Sequence, residues 1–448
     1  MTKRMLSKLV ALLLLVVPAG AQAAGERQFN AESFTLSNGL QVVVIENHRA
    51  LIVTQMVWYK VGSADEIRGK TGLAHFLEHL MFKGTKETPP GAFSRIVAQN
   101  GGRENAFTTA DYTAFFQNVA ADRLELMMKL EAERMTGLVL TDAVVLPERD
   151  VILEERRMRI DNNPAALLNE QVNAALFLNH PYHNPVIGWE HEMAGLTTED
   201  ALGFYRTWYA PNNAVLVLGG DVTLDRARAL AEKYYGPIPA RAVPGRHRAK
   251  EPPKAAATRL VMKSPRVGEP SWSRSYLAPS HTAGETQYAY ALEVLAEVLG
   301  GGPTARLYRD LVLDQNVALS VGASYGAGAL DLATFSIRAT PRHGVAIADI
   351  ESAVEGEIKK VLKDGITAEE VERAKQHMQS QAVYARDSLD GPARIIGAAL
   401  ATGRKLDDVE TWPKHIGEVT VEEVNAAARL VIRDDVAVTG VLLPGPTS

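Results

Sequence analysis

The sequence predicts an α+β protein made of two similar halves. Its 448 residues exceed the roughly 250 to 300 residues at which one hydrophobic core stops growing, so two domains are expected. The segment from Tyr235 to Thr258 contains five prolines and almost no apolar periodicity, which is typical of a linker. The pieces on its two sides end alike, because Leu196-Thr-Thr-Glu-Asp200 and Val419-Thr-Val-Glu-Glu423 each precede a predicted helix and strand. A duplicated α+β unit explains this pattern most simply.

The first residues have the pattern of a secretory signal peptide. Basic residues at positions 3, 4 and 8 precede an apolar run over residues 9–17, and small residues then lead to Ala23. The run is about half of the roughly 20 residues that a membrane-spanning helix needs, so no stable span is expected after cleavage. We therefore expect a periplasmic or secreted protein. The predicted boundaries are a signal peptide at 1–23, an N-terminal α+β domain at 24–236, a linker at 237–258 and a C-terminal α+β domain at 259–448.

The composition limits the possible chemistry. Hydrophobic residues make up 46% of the chain and charged residues 23%, as in an ordinary soluble globular protein. The formal net charge is -5 with both signs interleaved, which argues against nucleic acid as a partner. The chain has no cysteine, so disulfides, thiolate metal sites and cysteine nucleophiles are excluded. Any metal must be bound by histidines and carboxylates.

The N-terminal domain begins with predicted sheet. Residues 34–47 predict two short strands on either side of Asn38-Gly39, a dipeptide that is a strong signal for a hairpin turn. A second β-rich run covers Ile52 to Val61. From Gly72 to Phe82 the apolar residues recur at helical spacing, and Gly84 follows the end of this predicted helix.

Further elements follow in the same half. After Pro89 a second helical pattern runs up to Asn100. Residues 104–119 are rich in Thr, Phe and Tyr and predict paired strands. Helical patterns then cover Asp122 to Thr136 and Pro147 to Ile160.

The predicted helix at 72–82 contains His75-Phe-Leu-Glu-His79. A step of four residues places both imidazoles on one helix face, one turn apart, so one rigid element could supply two zinc ligands. Glu78 lies near that face and could act as general base toward a water molecule at the metal. A lone histidine is more often an ordinary core or surface residue, but the pair together with Glu78 favours a metal site.

A hydrolytic zinc site needs three protein ligands and one open position, so a third donor must come from elsewhere. The carboxylate cluster at residues 147–157 offers one. Glu148 and Glu155 are seven residues apart and share a helix face, which makes Glu155 a candidate ligand and Glu148 a supporting catalytic residue. Glu154 is rotated by about 100° from Glu155, so only one of the two can face a fixed metal. Spacing alone does not choose between them, and such carboxylates by themselves are more often on a solvated helix face.

The chain resembles the pitrilysin/insulinase family of zinc metallopeptidases, which includes the mitochondrial processing peptidases. The central match is the inverted zinc motif at His75 to Thr85, and the resemblance extends over nearly the whole mature chain. Further matching segments are Asn38-Gly-Leu40, Asn105-Ala-Phe-Thr108, Glu148 to Glu155, His180-Pro-Tyr182, Tyr209-Ala-Pro-Asn-Asn213, Gly300-Gly-Gly302 and Arg306-Leu-Tyr308.

The resemblance implies a processing-peptidase-like fold, in which each half is an antiparallel sheet packed with helices. It implies one Zn²⁺ per chain and peptide cleavage inside a closed chamber formed by two such chains. It also identifies Glu155 as the third ligand. Asn105, Ala106 and Phe107 match the edge strand along which the family binds substrate backbone, although Phe107 is equally typical of an ordinary strand core residue.

One departure from the family pattern concerns the second half. Members that bind substrate unaided have an Arg and a Tyr there, seven residues apart, and the Tyr helps to stabilise the oxyanion. The corresponding positions here are Val312 and Leu319, which cannot donate hydrogen bonds. We therefore expect a heterodimer whose homologous, zinc-less partner supplies the Arg and Tyr. A self-sufficient homodimeric peptidase and a non-catalytic scaffold subunit are the alternatives; the intact zinc motif argues against the scaffold.

Overall fold

The computed structural model describes residues 27–446, so the predicted signal peptide at 1–23 lies outside the described residues. Within this range the chain forms two mixed sheets, one of six strands and one of five, each packed with helices. This confirms the predicted α+β fold of two similar halves. No helix in the described part of the chain is long and apolar enough to cross a membrane.

The first half contains the six-stranded sheet and eight α-helices. In chain order these elements are β1 Glu32–Thr35, β2 Gln41–Glu46, β3 Ile52–Tyr59, α1 Leu73–Leu80, α2 Ala92–Gln99, β4 Arg103–Thr108, β5 Thr113–Ala120, α3 Leu124–Gly137, α4 Asp142–Arg156, α5 Pro164–Leu176, α6 Glu190–Met193, α7 Thr198–Trp208, β6 Ala214–Gly220 and α8 Leu224–Tyr234. A π-helical turn at Arg157–Asp161 directly follows α4.

The second half contains the five-stranded sheet. Its elements are β7 Thr258–Ser264, β8 Ser271–Ala278, α9 Ala289–Gly300, a π-helical turn at Tyr308–Asp314, β9 Ala318–Tyr325, β10 Ala333–Pro341, α10 Ile347–Asp364, α11 Ala368–Ala385, α12 Gly391–Ala401, α13 Leu406–Glu410, α14 Trp412–Glu418, α15 Val421–Val431 and β11 Val438–Pro444.

The predicted N-terminal hairpin is confirmed. Strands β1 and β2 pair antiparallel, with Phe34 opposite Val42. Gly39 in the connecting turn has a φ of 87°, a left-handed conformation that glycine adopts without steric cost. The Asn-Gly signal therefore marked the turn correctly.

The two sheets share one topology. Their strand orders are β1-β2-β6-β3-β5-β4 and β7-β11-β8-β10-β9, so the second sheet repeats the first without an equivalent of β1. In each sheet the last strand of the half is parallel to one neighbour and antiparallel to the other. The helix before that strand begins in both halves with a capping box, formed by Thr197 with Asp200 and by Thr420 with Glu423. The similar segment ends in the sequence therefore do reflect a duplicated unit.

One helix from each half packs on the sheet of the other half. Helix α5 packs on the second sheet, where Leu168 and Val172 lie in one apolar cluster with Val438. Helix α12 packs on the outer face of the first sheet, where Ile396 joins the cluster around Trp58. The contact with α12 is so close that a Cβ on Gly397 would lie 2.1 Å from the Trp58 indole.

Helix α4 starts earlier than its sequence pattern indicated. It begins at Asp142 rather than Pro147, because Thr141 accepts the first helical hydrogen bond from Val145 and Val145 is fully buried in the core. Pro147 thus lies inside the helix, where packing outweighs its missing N–H donor. The helix also gives way to the π-helical turn at Arg157 instead of continuing regularly to Ile160.

The segment between the two sheets contains no helix or strand over residues 239–257, yet its arginines are held tightly. The Arg248 guanidinium contacts both oxygens of Asp65 at 3.0 Å, Asp111 at 2.6 Å and Asp331 at 2.9 Å. Asp65 and Asp111 belong to the first half and Asp331 to the second. Arg248 therefore joins the two halves directly.

Candidate metal centre

Helix α1 presents the predicted zinc motif. Seven of its eight residues are buried, with its apolar side chains in the core of the first half. Gly72 precedes the helix with a φ of 88° and has no side chain to cap it. Instead the Glu66 carboxylate accepts hydrogen bonds from the backbone N–H of Gly72 at 3.0 Å and of Ala74 at 2.8 Å. Glu66 is partly exposed, but its carboxylate points to the N-terminus of the helix.

The structure brings His75, His79 and Glu155 together. The two imidazole rings have centroids 4.8 Å apart. Oε2 of Glu155 lies 3.8 Å from Nε2 of His75 and 3.4 Å from Nε2 of His79. One ligand atom from each residue lies within 4.8 Å of the other two. Ligands about 2.1 Å from a tetrahedral zinc ion are about 3.4 Å apart, so the three atoms have nearly the spacing that one ion requires.

The chemistry of the three side chains also fits zinc. Two imidazoles and one carboxylate form a typical catalytic zinc set. Oε2 of Glu155 is buried and has no hydrogen-bond partner among the described residues, which is costly for a carboxylate unless a cation satisfies it. Burial lowers the pKa of His75 to about 3, and the neighbouring His79 and Arg159 add to the shift. His75 is therefore neutral, as a metal ligand must be.

Glu148 supports the second histidine. Its Oε1 lies 2.9 Å from Nδ1 of His79, while its Oε2 contacts Lys83. Burial acts to raise the pKa of Glu148, but the hydrogen bonds with His79 and Lys83 outweigh burial and lower it. An ionised Glu148 accepts a hydrogen bond from the Nδ1–H of His79 and so leaves Nε2 of that ring free to bind a metal. The sequence predicted Glu148 at the site but not Lys83.

Glu78 lies beside the three candidate ligands. Its side chain is buried, and its Oε2 accepts a hydrogen bond from the Thr108 hydroxyl at 2.6 Å. Burial raises the pKa of Glu78 and the Thr108 hydrogen bond opposes that shift. A carboxylate with a raised pKa is a better proton acceptor than an exposed one. Thr108 was not among the predicted site residues, although its alternation with Phe107 along the strand could have placed it on the helix side.

The residues predicted to bind substrate lie on β4, an edge strand of the first sheet. Ala106 packs toward the core that contains α1, whereas Phe107 points to the opposite face. The Phe107 ring packs edge-on against Trp58 with centroids 5.4 Å apart. Asn105 turns its Oδ1 onto the Ala106 amide at 2.9 Å. The backbone of β4, rather than the Phe107 ring, is therefore the part that faces the free edge beside the metal centre.

The two adjacent carboxylates in α4 have different partners. Glu155 turns toward the histidines, and its Oε1 forms an ion pair with Nη1 of Arg159 at 2.8 Å. Glu154 points outward, where it pairs with Arg157 at 3.2 Å and both side chains are more than half exposed. The choice that helical spacing left open thus falls on Glu155, and Arg159 is a further site residue that the sequence did not predict.

The fold and the site together define a class of protein: a duplicated α+β chain with an inverted zinc motif on a buried helix, as in processing-type metallopeptidases. Residues 41–190 match the family model described as insulinase, peptidase family M16. Residues 195–378 match the model described as the peptidase M16 inactive domain. The chain belongs to the M16 family of peptidases.

Relatives support this assignment along the full chain. The zinc protease PqqE of Helicobacter pylori is 30% identical over 437 residues, which cover 96% of this chain and 97% of that protein. The crystal structure of a protease from Helicobacter pylori superposes with a TM-score of 0.86 at 29% identity, covering 92% of this chain and 99% of the other. A protein of Schizosaccharomyces pombe named probable mitochondrial-processing peptidase subunit beta is 25% identical, over 92% of this chain and 91% of its own length.

Proposed function

We propose that this chain is a zinc-dependent endopeptidase that binds one Zn²⁺ through His75, His79 and Glu155. The observation that carries the proposal is the convergence of these three ligand atoms within 4.8 Å, beside the buried carboxylate of Glu78. The name of the Helicobacter relative, a zinc protease, supports the same metal and reaction.

The side chains around the site have separate tasks in peptide hydrolysis. When bound, the zinc ion supplies Lewis acidity toward water and the peptide carbonyl. Glu78 accepts a proton from the attacking water and passes it to the leaving amine. Thr108 holds the Glu78 carboxylate in place, and Glu148 holds the His79 ring. The free edge of β4 at Asn105–Phe107 binds the substrate backbone as an added strand.

Replacing Glu78 by Gln tests this assignment. The variant should keep its zinc and lose activity by a factor of a thousand or more, because an amide cannot accept the proton. Peptide hydrolysis and zinc content measured on the same preparation provide the two readouts. Matched controls are His79→Ala and Glu155→Ala, which should release the metal. Turnover by Glu78→Gln at the wild-type rate would contradict the role of Glu78.

We further propose that the chain is the zinc subunit of a heterodimer that encloses a substrate chamber. Val312 and Leu319 stand at the positions where a self-sufficient member has Arg and Tyr. Val312 is buried in the core of the second half, and Leu319 is 51% exposed on β9, the edge strand of the second sheet. Neither side chain can donate a hydrogen bond to a peptide oxygen, so a homologous zinc-less partner would supply the missing Arg and Tyr.

Copurification and mixing experiments test the partner. A second chain of the same fold without the zinc motif should copurify with this one, and adding it should raise kcat/KM for peptides of several lengths. Full activity of this chain alone would instead identify a homodimeric peptidase. A stable purified chain that contains no zinc would point to the scaffold alternative.

We also propose that the protein acts in the periplasm or outside the cell. The basic and apolar residues at positions 3–17 and the small residues up to Ala23 support this. N-terminal sequencing of the protein from an extracytoplasmic fraction should then begin after Ala23. Recovery of the uncleaved chain from the cytoplasm alone would contradict the proposal.

A further inference from the structure

The candidate ligand Glu155 is followed in the chain by a π-helical turn that contains Arg159. It covers Arg157–Asp161, directly behind the candidate ligand Glu155. A π-helical turn widens the helix locally and so changes the direction of the side chains that follow, and such turns are frequent at functional sites. Arg159 lies within this turn, four residues after Glu155, and its Nη1 forms an ion pair with Oε1 of Glu155 at 2.8 Å.

The two oxygens of Glu155 consequently have different surroundings. Oε1 forms the ion pair with Arg159, whereas Oε2 faces the two imidazoles and has no hydrogen-bond partner within residues 27–446. A carboxylate that is held through one oxygen is oriented, and only its other oxygen is free for a metal. Without such a restraint, a carboxylate can approach a cation with both oxygens.

We propose that Arg159 is a positioning residue that reserves Oε2 of Glu155 for the zinc ion, so that Glu155 binds through one oxygen. This inference rests on the proposed zinc site. Single-oxygen binding leaves one coordination position vacant, which is the arrangement that a hydrolytic zinc site needs. Arg159 itself touches neither the candidate metal position nor the base Glu78.

Two opposing effects of Arg159 give the proposal a definite sign. Its positive charge repels a cation, which would weaken zinc binding, while its ion pair orients the Glu155 carboxylate, which would strengthen zinc binding. The Arg159 side chain is 71% exposed, so water screens its charge. The ion pair is a direct contact with a Glu155 side chain that is only 13% exposed. Orientation therefore outweighs repulsion, and removing the side chain should weaken zinc binding.

The neighbouring pair provides a matched control. Arg157 bonds Glu154 at 3.2 Å, with side chains 55% and 58% exposed, and this pair makes no contact with the histidines. Removing Arg157 deletes one positive charge from the same turn without touching Glu155. Its effect on zinc binding therefore measures the contribution of charge alone.

The experiment measures zinc affinity of the purified full-length chain by competition with a chromophoric chelator. Arg159→Met should weaken zinc binding by about tenfold to a hundredfold, as for other residues that orient a ligand. Arg159→Lys should recover part of this loss, and Arg157→Met should bind zinc like the wild type. Circular dichroism of the metal-free variants should show unchanged folding, since both positions are exposed.

Three results would overturn the inference: unchanged or tighter zinc binding by Arg159→Met, an equal loss in Arg157→Met, or no recovery in Arg159→Lys. These outcomes are distinct from failure of the proposed function. If the wild-type chain bound no zinc, the metal assignment itself would be wrong. If the wild type bound zinc and Arg159→Met bound it equally well, only the role of Arg159 would be wrong.

Discussion

Thr108 is the residue that fixes the proposed base. It lies on β4, thirty residues from Glu78 in sequence, and its hydroxyl donates to the carboxylate at 2.6 Å. A hydrogen bond to a charged group typically contributes about 1.5–3 kcal/mol. The orientation of Glu78 therefore depends on the edge strand that is also proposed to bind substrate.

Replacing Thr108 by Val should lower kcat/KM about tenfold to a hundredfold, because the base loses its only side-chain hydrogen bond among the described contacts. Zinc content should remain at the wild-type level, since Thr108 contacts no candidate ligand. Thr108→Ser keeps the hydroxyl and should retain most of the activity. Peptide hydrolysis assays of both variants check this, and an unchanged rate in the Val variant would argue against the positioning role.

Single residues differed in how far the sequence could predict them. The spacing of His75, Glu78 and His79 on one helix suggested a site by itself, whereas Glu148 became a candidate only because that site needed a further carboxylate. Glu155 could not be separated from Glu154 by spacing and was identified through the family resemblance. Thr108 and Lys83 reach the site only through tertiary contacts, which no local pattern encodes, whereas Arg159 is four residues after Glu155, a helical spacing that the sequence does contain.

The N-terminus of helix α1 depends on a remote side chain. Gly72 cannot cap the helix, and Glu66 takes over this role through its two hydrogen bonds to backbone amides. Burial raises the pKa of Glu66 well above its usual 4.5; the amide hydrogen bonds oppose the shift, and the nearby carboxylates of Asp65 and Glu192 add to it. The helix that presents His75 and His79 is thus anchored by a carboxyl group that is costly to ionise.

The free energy of unfolding of Glu66→Gln, relative to that of the wild type, should increase as the pH rises. A folded-state pKa above 4.5 means that the wild type loses stability as the pH increases from about 4.5 through the raised value. Gln keeps one acceptor oxygen for the backbone amides and cannot ionise, so its stability lacks this pH dependence. Urea unfolding of the metal-free proteins at pH 5 and pH 8 measures the free energies. Glu66→Ala, which removes the cap, should lose about 1 kcal/mol at acidic pH. A pH-independent difference between Gln and wild type would contradict the shifted ionisation.

Helix boundaries show the limits of local patterns at this scale. The hairpin around Gly39 was predicted correctly because glycine is favoured in its left-handed turn. The sequence pattern places the start of α4 at Pro147, five residues late, because proline is typical of a first helical turn. The local pattern does not show that Val145 is buried. Burial is a property of the assembled core and cannot be deduced from the segment alone.

Across the whole molecule, Arg248 connects the two halves. Its guanidinium is 5% exposed and bonds Asp65 and Asp111 of the first half and Asp331 of the second. Asp65 is 1% exposed and lies next to Glu66, the cap of α1. The segment expected to be a simple linker thus carries a buried cation that the surrounding carboxylates require.

Arg248→Ala should destabilise the protein by about 3–5 kcal/mol, because it leaves the buried Asp111 without a counter-charge and Asp65 with only the more distant Arg246, at 3.6 Å. Thermal or urea unfolding measures the effect. Lys250, two residues along and exposed, is the matched control, and Lys250→Ala should change stability by less than about 0.5 kcal/mol. A loss below 1 kcal/mol in Arg248→Ala would show that the halves are held together by other contacts.

The duplication and the two halves were predictable because the segment ends repeat in sequence. The crossing of the two helices, by which α5 packs on the second sheet and α12 on the first, was not predictable from the sequence. Each of these helices covers apolar surface on a sheet that lies far from it along the chain. Amphipathic periodicity identifies a helix and its apolar face but not the surface against which that face packs.

That crossing has a consequence for how the chain is made. When only the first half has been synthesised, α5 lacks the sheet on which it packs. The apolar cluster around Trp58 is likewise exposed to solvent until α12 emerges from the ribosome. The complete polypeptide is therefore needed for a fully native fold. A premature stop after the first half would yield an aggregation-prone fragment rather than a functional domain. Conversely, a single nick between residues 239 and 257 would cut the backbone without separating the pieces, because each would still hold the other by an interlocked helix.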